Sequence, residues 1–494
     1  MPPRLIARID RWIREAPERT AHIVGGKHTT YRALGERADA VADFIRRSLP
    51  DDGSPVPIIG HKEPEMLAGF LGCLKTGHPY VPIDRTSPSV RRNAIIDAAS
   101  ATLTIDVERI ASLPAAASPP VTAEYASDHT IYVLFTSGST GVPKGVMLSE
   151  DNLVGFLSWI SEEIGLTDEG GVFLNQASFG FDLSVPDLYL ALTRGGTIAS
   201  VTSDDVTTPG QLMRVLAGSG ATTMFVTPSF GRVCLSDESF DATRMPQLRT
   251  VVFCGETLPP ATAIGFAERF PRGRIWQSWG PTEATVMVTT LPLKRGAIDP
   301  TVPLPIGRLM PGLVCRVRDE DGREVRDGEE GELVIGGSSV SAGYFNRPDL
   351  TAPSFAYIDG VWSYRTGDLG HVKDGVYHFH GRRDTQVKFQ GYRMELGDIE
   401  NNLECVAGVA AAAVLPRYRV GQLDSLRAFI VLDDPAAARD FDAAMAVRTA
   451  LAERLPPHMV PRHVHFMSAL PLTSHGKTDR ARLSALPMEL EPAL

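Results

Sequence analysis

The sequence predicts an α/β protein, with a large N-terminal domain of several subdomains followed by a small α+β domain. Three observations lead there. A chain of 494 residues exceeds what one compact core of ordinary size can fill. From Tyr31 to about Val81, and again between Thr130 and Thr290, short apolar runs alternate with helix-like segments. After about Pro305 the text becomes short strand candidates joined by DG, EG and NRP turns, the mark of a β-rich subdomain.

In chain order, YRALGERADAVADFIRRSL and EPEMLAGFLGCLKTG read as helices, with PVPIIG and PYVPID as strands. LPAAASPP, within Ala111 to Pro120, is a poor core former and reads as a surface loop. IYVLF, TTMFV and LRTVVF are strand candidates that close into Gly, Ser or Pro, with PATAIGFAERF a helix among them. Strands ending in such loops are where α/β folds place ligands. CRVRDEDGREV, GELVIGG and GVYHFHGR supply the β-rich part. A boundary is expected near Asp384, dividing residues 1–383 from 384–494. Beyond it, LGDIENNLECV and FDAAMAVRTALAERL read as helices around the strands GVAAAAVL and LRAFIVL, a small domain of about a hundred residues.

Hydrophobic residues at 43% and charged residues at 22% exclude a disordered or fibrous chain. A net charge of −10 with no basic tract argues against nucleic acid as a partner. Cys73, Cys234, Cys254, Cys315 and Cys405 are dispersed without a CxxC pair, which fits free thiols in a reducing compartment. The first twenty residues mix Arg, Asp and Glu among apolar positions and lack the apolar run of a leader, and no stretch approaches a membrane span. A cytoplasmic location without membrane insertion is expected.

Chemistry concentrates in a few segments. Phe135-Thr-Ser-Gly-Ser-Thr-Gly-Val-Pro-Lys-Gly145 follows a strand, and its glycines, hydroxyls and amides suit the oxygens of a polyphosphate. Gly145 stands where a P-loop would have Ser or Thr, so the segment is not that motif. In isolation it fits a flexible Ser/Gly turn equally well. Trp279-Gly-Pro-Thr-Glu283 adds an aromatic plane for a base, a hydroxyl and a carboxylate suited to Mg²⁺. Tyr364-Arg-Thr-Gly-Asp368 and Gly381-Arg-Arg-Asp384 supply a carboxylate and a guanidinium. Taken singly, Trp279 can simply pack, Glu283 can cap a helix and Asp368 can belong to a turn.

In this order the segments resemble the adenylate-forming superfamily of acyl-CoA ligases, luciferases and the amino-acid adenylation domains of nonribosomal peptide synthesis, over about Thr30 to Arg482. The resemblance implies a C-terminal domain that moves about a hinge, and two steps: adenylation with ATP and Mg²⁺, then thioester formation. It implies that Thr136, Ser137, Gly138, Ser139, Thr140, Gly141 and Lys144 form the phosphate loop, and that Trp279 stacks on adenine. Thr282 would contact phosphate, Glu283 the metal, and Asp368 the ribose hydroxyls, with Arg382 nearby. Asp384 would be the hinge and Gly391 would border the path of the thiol. Lys477, in Pro471-Leu-Thr-Ser-His-Gly-Lys-Thr-Asp-Arg480, matches the catalytic lysine of the superfamily, and an ammonium there would stabilise charge in the transition state. Trp279 departs from the tyrosine usual at its position, which puts any bond of the phenol oxygen in question.

Phe181-Asp-Leu-Ser-Val-Pro-Asp187 resembles the FDxS segment of amino-acid adenylation domains, where Asp182 matches the anchor for an α-ammonium. The pocket implied by position is Asp182, Leu183, Pro186, Phe230, Val252, Cys254, Ser278, Val286, Met287 and Lys477. Such a lining should exclude charged side chains and favour a small apolar one. NQASFGFDLSVPDLY, VVFCGETLP, GPTEATV and KFQGYRMELGDIE are especially similar to D-alanine:carrier-protein ligases, from which Pro186 departs. The expectation is an enzyme that activates alanine, of either chirality, or another small amino acid such as glycine. It would pass the product to the phosphopantetheine of a carrier protein in trans. An acyl-CoA ligase for a small acid and a silent nucleotide-binding homologue are the alternatives, the latter disfavoured by Lys144, Glu283, Asp368 and Lys477.

Overall fold

The computed structural model describes residues 4–117, 120–138, 142–166, 169–208, 210–419, 422–434, 441–471 and 478–486. The chain separates into two compact units. The first takes in the described residues of Met1–Asp84, Ala99–Phe135 and Gly145–Arg383; the second those of Arg85–Ala98, Thr136–Lys144 and Asp384–Leu494. Two stretches from the first 383 residues therefore group with the second unit, a partition the sequence does not announce.

The first unit is built on three sheets. Its largest runs, in spatial order, through Arg308–Leu309, Thr289–Leu293, Arg274–Trp279, Thr250–Phe253, Thr223–Val226, Val172–Asn175, Thr197–Ser200, Thr20–Val24 and Lys27–Thr30. The stretch from Arg274–Trp279 to Thr197–Ser200 is parallel. Thr223–Val226 and Thr250–Phe253 are buried at every residue, as parallel strands covered on both faces must be. A second sheet orders Ile105–Asp106, Val56–Gly60, Tyr80–Asp84, Thr130–Thr136 and Lys144–Ser149. The third, of Val314–Arg318, Gly331–Gly336, Val361–Lys373 and Phe355–Ile358 with Val376–Arg382 alongside, is the expected β-rich part.

Helices form where apolar spacing and caps agree. Tyr31–Ser48 starts at Thr30, whose hydroxyl accepts from the Ala33 amide, and buries Tyr31, Leu34, Ala38, Val41 and Ile45 along one face. Pro64–Thr76 opens on proline and ends at Gly77, whose φ of 77° only glycine adopts without strain. One helix escapes the sequence reading, which tested the N-terminus only as a leader. Arg4–Glu15 buries Leu5, Ile6, Ile9 and Trp12, and the Glu150 carboxylate accepts from the Leu5 amide at 2.8 Å. No helix of the described residues is long and apolar enough to cross a membrane.

In the second unit, Val409–Arg419, Gln422–Leu432 and His463–Phe466 form a sheet. Its core joins Val414, Ala428 and Ile430 to Ile399 and Leu403 of the helix Leu396–Glu404 and Leu451 of the helix Phe441–Ala452. A hairpin of Gln386–Phe389 and Tyr392–Glu395 turns through Gln390 and Gly391, both at positive φ.

A polar cluster lies inside the first unit. Ser200 Oγ donates to Asn175 Oδ1 at 3.2 Å and lies 2.9 Å from His22 Nε2. With its one proton committed, the serine accepts from His22, which places the imidazole proton on Nε2 and leaves Nδ1 bare, buried and unpartnered among the described residues. Burial lowers the His22 pKa to about 3, helped by Lys62. The folded pKa thus lies below the unfolded one, so this contribution to stability is complete above about pH 6.5 and is lost as the pH falls toward 3. Between pH 6 and 4 the wild type should therefore lose stability against a His22→Gln variant by up to about 1.4 kcal/mol per pH unit. Urea midpoints of both proteins across that range measure it, and parallel pH profiles would remove the assignment.

Candidate active site

Four adjacent parallel strands of the largest sheet release their carboxyl ends on one side, where α/β sheets collect ligands. Val172–Asn175 runs into the loop that carries Asp182. Thr223–Val226 runs into the helix Pro228–Leu235 with Phe230, Thr250–Phe253 into Cys254, and Arg274–Trp279 ends on Ser278 and Trp279. Residues scattered over a hundred positions are thereby gathered by topology.

Asp182 precedes the helix Ser184–Thr193, whose N-cap position is Leu183. Thr282 Oγ1 donates to Asp182 Oδ2 at 2.5 Å, joining the segment expected for the amino acid to the segment expected for the nucleotide. Glu283 is fully buried and accepts a 2.7 Å hydrogen bond from the Tyr344 hydroxyl, while the Ser341 amide donates to its carbonyl at 2.9 Å. It sits in a single turn, Thr282–Ala284, without a capping role. No group of three or more His, Cys, Asp or Glu among the described residues could hold a metal alone. One carboxylate is nonetheless the donor set Mg²⁺ takes when phosphates complete its shell, so Glu283 fits that ion.

Asp368 lies in the strand Val361–Lys373, not in a turn, and is 2% exposed. The Trp279 indole N–H donates to its Oδ2 at 3.0 Å, and Arg382 pairs with Oδ1 and donates to the Thr366 carbonyl at 3.0 Å. Trp279 therefore does more than pack. It is a donor where a phenol can also accept, and a carboxylate is the partner that a donor-only group requires.

The chain after Glu283 is strained. Thr285 and Val286 have φ of 63° and 69°, costly for any residue with a Cβ and most for a β-branched one. The Met287 amide closes onto the Thr285 carbonyl at 2.8 Å around Val286, the Thr285 hydroxyl donates to the Ser339 carbonyl at 2.8 Å, and the Val288 amide donates to the Trp279 carbonyl at 2.9 Å. Gly280 permits this fold-back, since a Cβ there would lie 2.4 Å from Met287 Cα.

Leu183, Val252, Cys254, Val286 and Met287 belong with Trp279 to the main apolar cluster, and Pro186 is buried in the helix behind Asp182. Phe230 packs into a second cluster of this unit, with Leu174, Val251 and Phe253. Ser278 Oγ is buried and unpartnered among the described residues, an unmet polar group in an otherwise apolar wall.

The described part of the loop expected to hold phosphates belongs to the second unit. Thr136 Oγ1 is buried and unpartnered among the described residues. Ser137 Oγ donates to the Arg393 carbonyl at 3.2 Å and accepts from the Glu395 amide at 3.0 Å, and Lys144 Nζ stands 3.8 Å from Glu395. At Gly138 a Cβ would meet the Val142 carbonyl at 2.1 Å, so the loop needs glycine there. At Gly145, in the first unit, a Cβ would press on Val133 and Phe135, a packing reason for the residue that sets this loop apart from a P-loop. Ser139, Thr140, Gly141 and Lys477 lie outside the described residues. Asp384 opens the C-terminal stretch of the second unit, and its Oδ1 accepts from the Gln386 amide at 3.1 Å. Gly391, at φ 86°, occupies the hairpin turn.

Sequence reading missed Tyr344, Ser339 and Ser341, which orient the Glu283 turn from about sixty residues away. Their signal in the text is SSVSAGY, polar residues and a tyrosine between the strand GELVIGG and the NRP turn.

What the chain is similar to defines it as an AMP-forming ligase. The chain belongs to the AMP-binding enzyme family, matching it over residues 9–345, with the AMP-binding enzyme C-terminal domain matched over 398–477. It is 38% identical over 498 aligned positions to a D-alanine--D-alanyl carrier protein ligase of Bacillus cytotoxicus, covering 97% of this chain and 99% of that one. Among solved structures it is similar to holo-PA1221, a nonribosomal peptide synthetase protein with adenylation and carrier domains. That match has 26% identity, a TM-score of 0.81, and coverage of 98% of this chain and 84% of that one. The Vibrio cholerae adenylation domain AlmE, at 21% identity, shares the fold, with a TM-score of 0.82 over 98% of each chain.

If the indole N–H positions Asp368, Trp279→Phe should raise the KM for ATP about three- to tenfold, as loss of a hydrogen bond to a charged group does. The KM for the acid substrate should stay within about twofold. Pyrophosphate exchange measures both, and an unchanged KM for ATP would reduce Trp279 to a packing residue.

Proposed function

We propose that this enzyme activates a small α-amino acid, alanine foremost, as its aminoacyl-AMP and transfers it to the phosphopantetheine thiol of a carrier protein in trans. The observation that carries the reading is Asp182, a carboxylate beyond the carboxyl end of Val172–Asn175 and held by Thr282, together with the apolar, buried character of Leu183, Val252, Cys254, Val286 and Met287. One negative charge in apolar surroundings selects an ammonium on a substrate whose side chain is small and uncharged. The carrier ligase of Bacillus cytotoxicus supports the choice of alanine and of a carrier.

In the first step a carboxylate oxygen of the amino acid attacks the α-phosphorus of ATP and pyrophosphate departs. In the second the carrier sulfur, having lost its proton, attacks the acyl carbon and AMP departs. Thr136, Ser137, Gly138, Ser139, Thr140, Gly141 and Lys144 hold the phosphates, Trp279 faces adenine, Asp368 with Arg382 takes the ribose hydroxyls, and Thr282 contacts phosphate. Glu283 would hold Mg²⁺, which lowers the cost of charge on the departing pyrophosphate. Lys477 supplies the ammonium that meets charge on the reacting carboxylate and α-phosphate. Five free cysteines, three of them buried, suit action in the cytoplasm.

The deciding experiment is pyrophosphate exchange over both enantiomers of alanine and serine, glycine, and the matching acids without the amine. Serine is included because of the unpartnered Ser278 hydroxyl. Alanine should lead and the amine-free acids should fail; equal activity with propionate would favour an acyl-CoA ligase, and no activity at all a silent homologue. Asp182→Ala should raise the KM for the amino acid and leave that for ATP nearly unchanged. Lys477→Ala should slow adenylation by about two to three orders of magnitude, as removal of a preorganised charge does, and slow thioester formation from supplied adenylate far less. Equal loss in both half-reactions would instead point to misfolding. Asp384→Pro, which fixes φ and removes an amide donor, should keep most adenylation and nearly abolish transfer to the carrier. Unchanged thioester formation by a folded Asp384→Pro enzyme would remove the hinge assignment.

A further inference from the structure

Lys62 is 2% exposed in the first unit. Its ammonium donates to the Asn175 carbonyl at 3.0 Å and to the Gln176 carbonyl at 2.7 Å, where Val172–Asn175 leaves the sheet. Two residues further on, the Ser178 hydroxyl donates to the Asp84 carboxylate, which His61 holds through Nδ1 at 2.9 Å. From Ser178 the chain makes two hydrogen-bonded turns, Phe181 amide to Ser178 carbonyl at 2.9 Å and Ser184 amide to Phe181 carbonyl at 3.0 Å, with Asp182 between them. The Asn175 side chain closes the circuit, contacting the Asp187 carboxylate of the following helix at 3.4 Å. Lys62 follows Val56–Gly60, and Asp84 ends Tyr80–Asp84, neighbouring strands of a different sheet from Val172–Asn175. The loop that carries Asp182 is therefore pinned from outside its own sheet at two points.

Burial draws the Lys62 pKa down to about 7, against the pull of Asp187, Asp84 and Asp205, so a charge is costly to keep here. What the ammonium uniquely supplies is several N–H donors on one flexible stem, able to hold two successive carbonyls at the foot of a loop. A loop held at its start and at its third residue has few ways to move its last one.

We propose that Lys62 and the His61–Asp84–Ser178 chain are positioning residues that set the Asp182 carboxylate for the substrate's ammonium, an inference that rests on the reading of Asp182 as that anchor. Neither touches substrate. Both act through the loop, so their effect should fall on amino-acid binding and depend on Asp182 being present.

The test is a double-mutant cycle in pyrophosphate exchange with alanine. Lys62→Met should raise the KM for alanine about tenfold with the KM for ATP within about twofold, the size of a lost charge-assisted hydrogen bond. Ser178→Ala, which removes a single bond and tests the second pin if the methionine variant fails to fold, should raise it about threefold. In an Asp182→Asn background either substitution should add less than about twofold, because the group being positioned is already disabled. A general loosening of the fold would multiply in that background and raise both KM values, and either that outcome or an unchanged KM for alanine in both single variants overturns the proposal. Should Asp182→Asn alone leave the KM for alanine untouched, the anchor reading falls first, whatever the other variants do.

Discussion

The hydrogen bond from Thr282 to Asp182 joins two segments a hundred residues apart, and much of the site is organised around making it possible. Asp182 approaches from the end of Val172–Asn175, and Thr282 from the end of Arg274–Trp279, with two parallel strands between them in the sheet. A partly buried carboxylate is stabilised when donors meet it. Thr282 meets it from one side. The bond also fixes which way the carboxylate faces, because the hydroxyl that meets it is carried by a separate strand end.

The strained turn at Thr285 and Val286 follows from the same demand. Glu283 must be buried and oriented, and the chain must leave it at once to form the wall with Val286 and Met287. Positive φ at two successive residues with side chains is of order 1–3 kcal/mol each. The bonds from Thr285 to Ser339, from Ser341 to Glu283 and from Tyr344 to the Glu283 carboxylate hold the turn in that state. Strain, carboxylate and wall are one arrangement, and the β-rich subdomain is what keeps it from relaxing.

How far the text revealed this depends on the range of each interaction. The α/β layout, the β-rich part and the small C-terminal domain were legible because periodicity and turn chemistry act over a few residues. Asp182, Trp279, Glu283 and Asp368 stand out in the text because their segments carry compact motifs. Lys62, Tyr344 and Ser339 do not, since a buried lysine or a serine in a loop looks the same in text as an exposed one until the fold supplies the partner. The helix Arg4–Glu15 was overlooked for another reason. Its apolar residues at 5, 6, 9 and 12 are ordinary amphipathic spacing, interrupted in the text by Arg and Asp.

Trp279 shows how a departure from a familiar motif can be accommodated by its neighbours. A tyrosine at this place can donate or accept through its hydroxyl, whereas an indole N–H can only donate. Asp368, acceptor-only when ionised, takes that proton on one oxygen and Arg382 on the other, and Arg382 in turn is fixed by the Thr366 carbonyl. The carboxylate is thus oriented from both sides, by groups from Arg274–Trp279 and Val376–Arg382. Orientation set by two rigid strands costs no side-chain entropy at the moment of binding. The substitution therefore keeps the aromatic plane, and it turns the edge of that plane into a brace for the residue expected to hold the ribose.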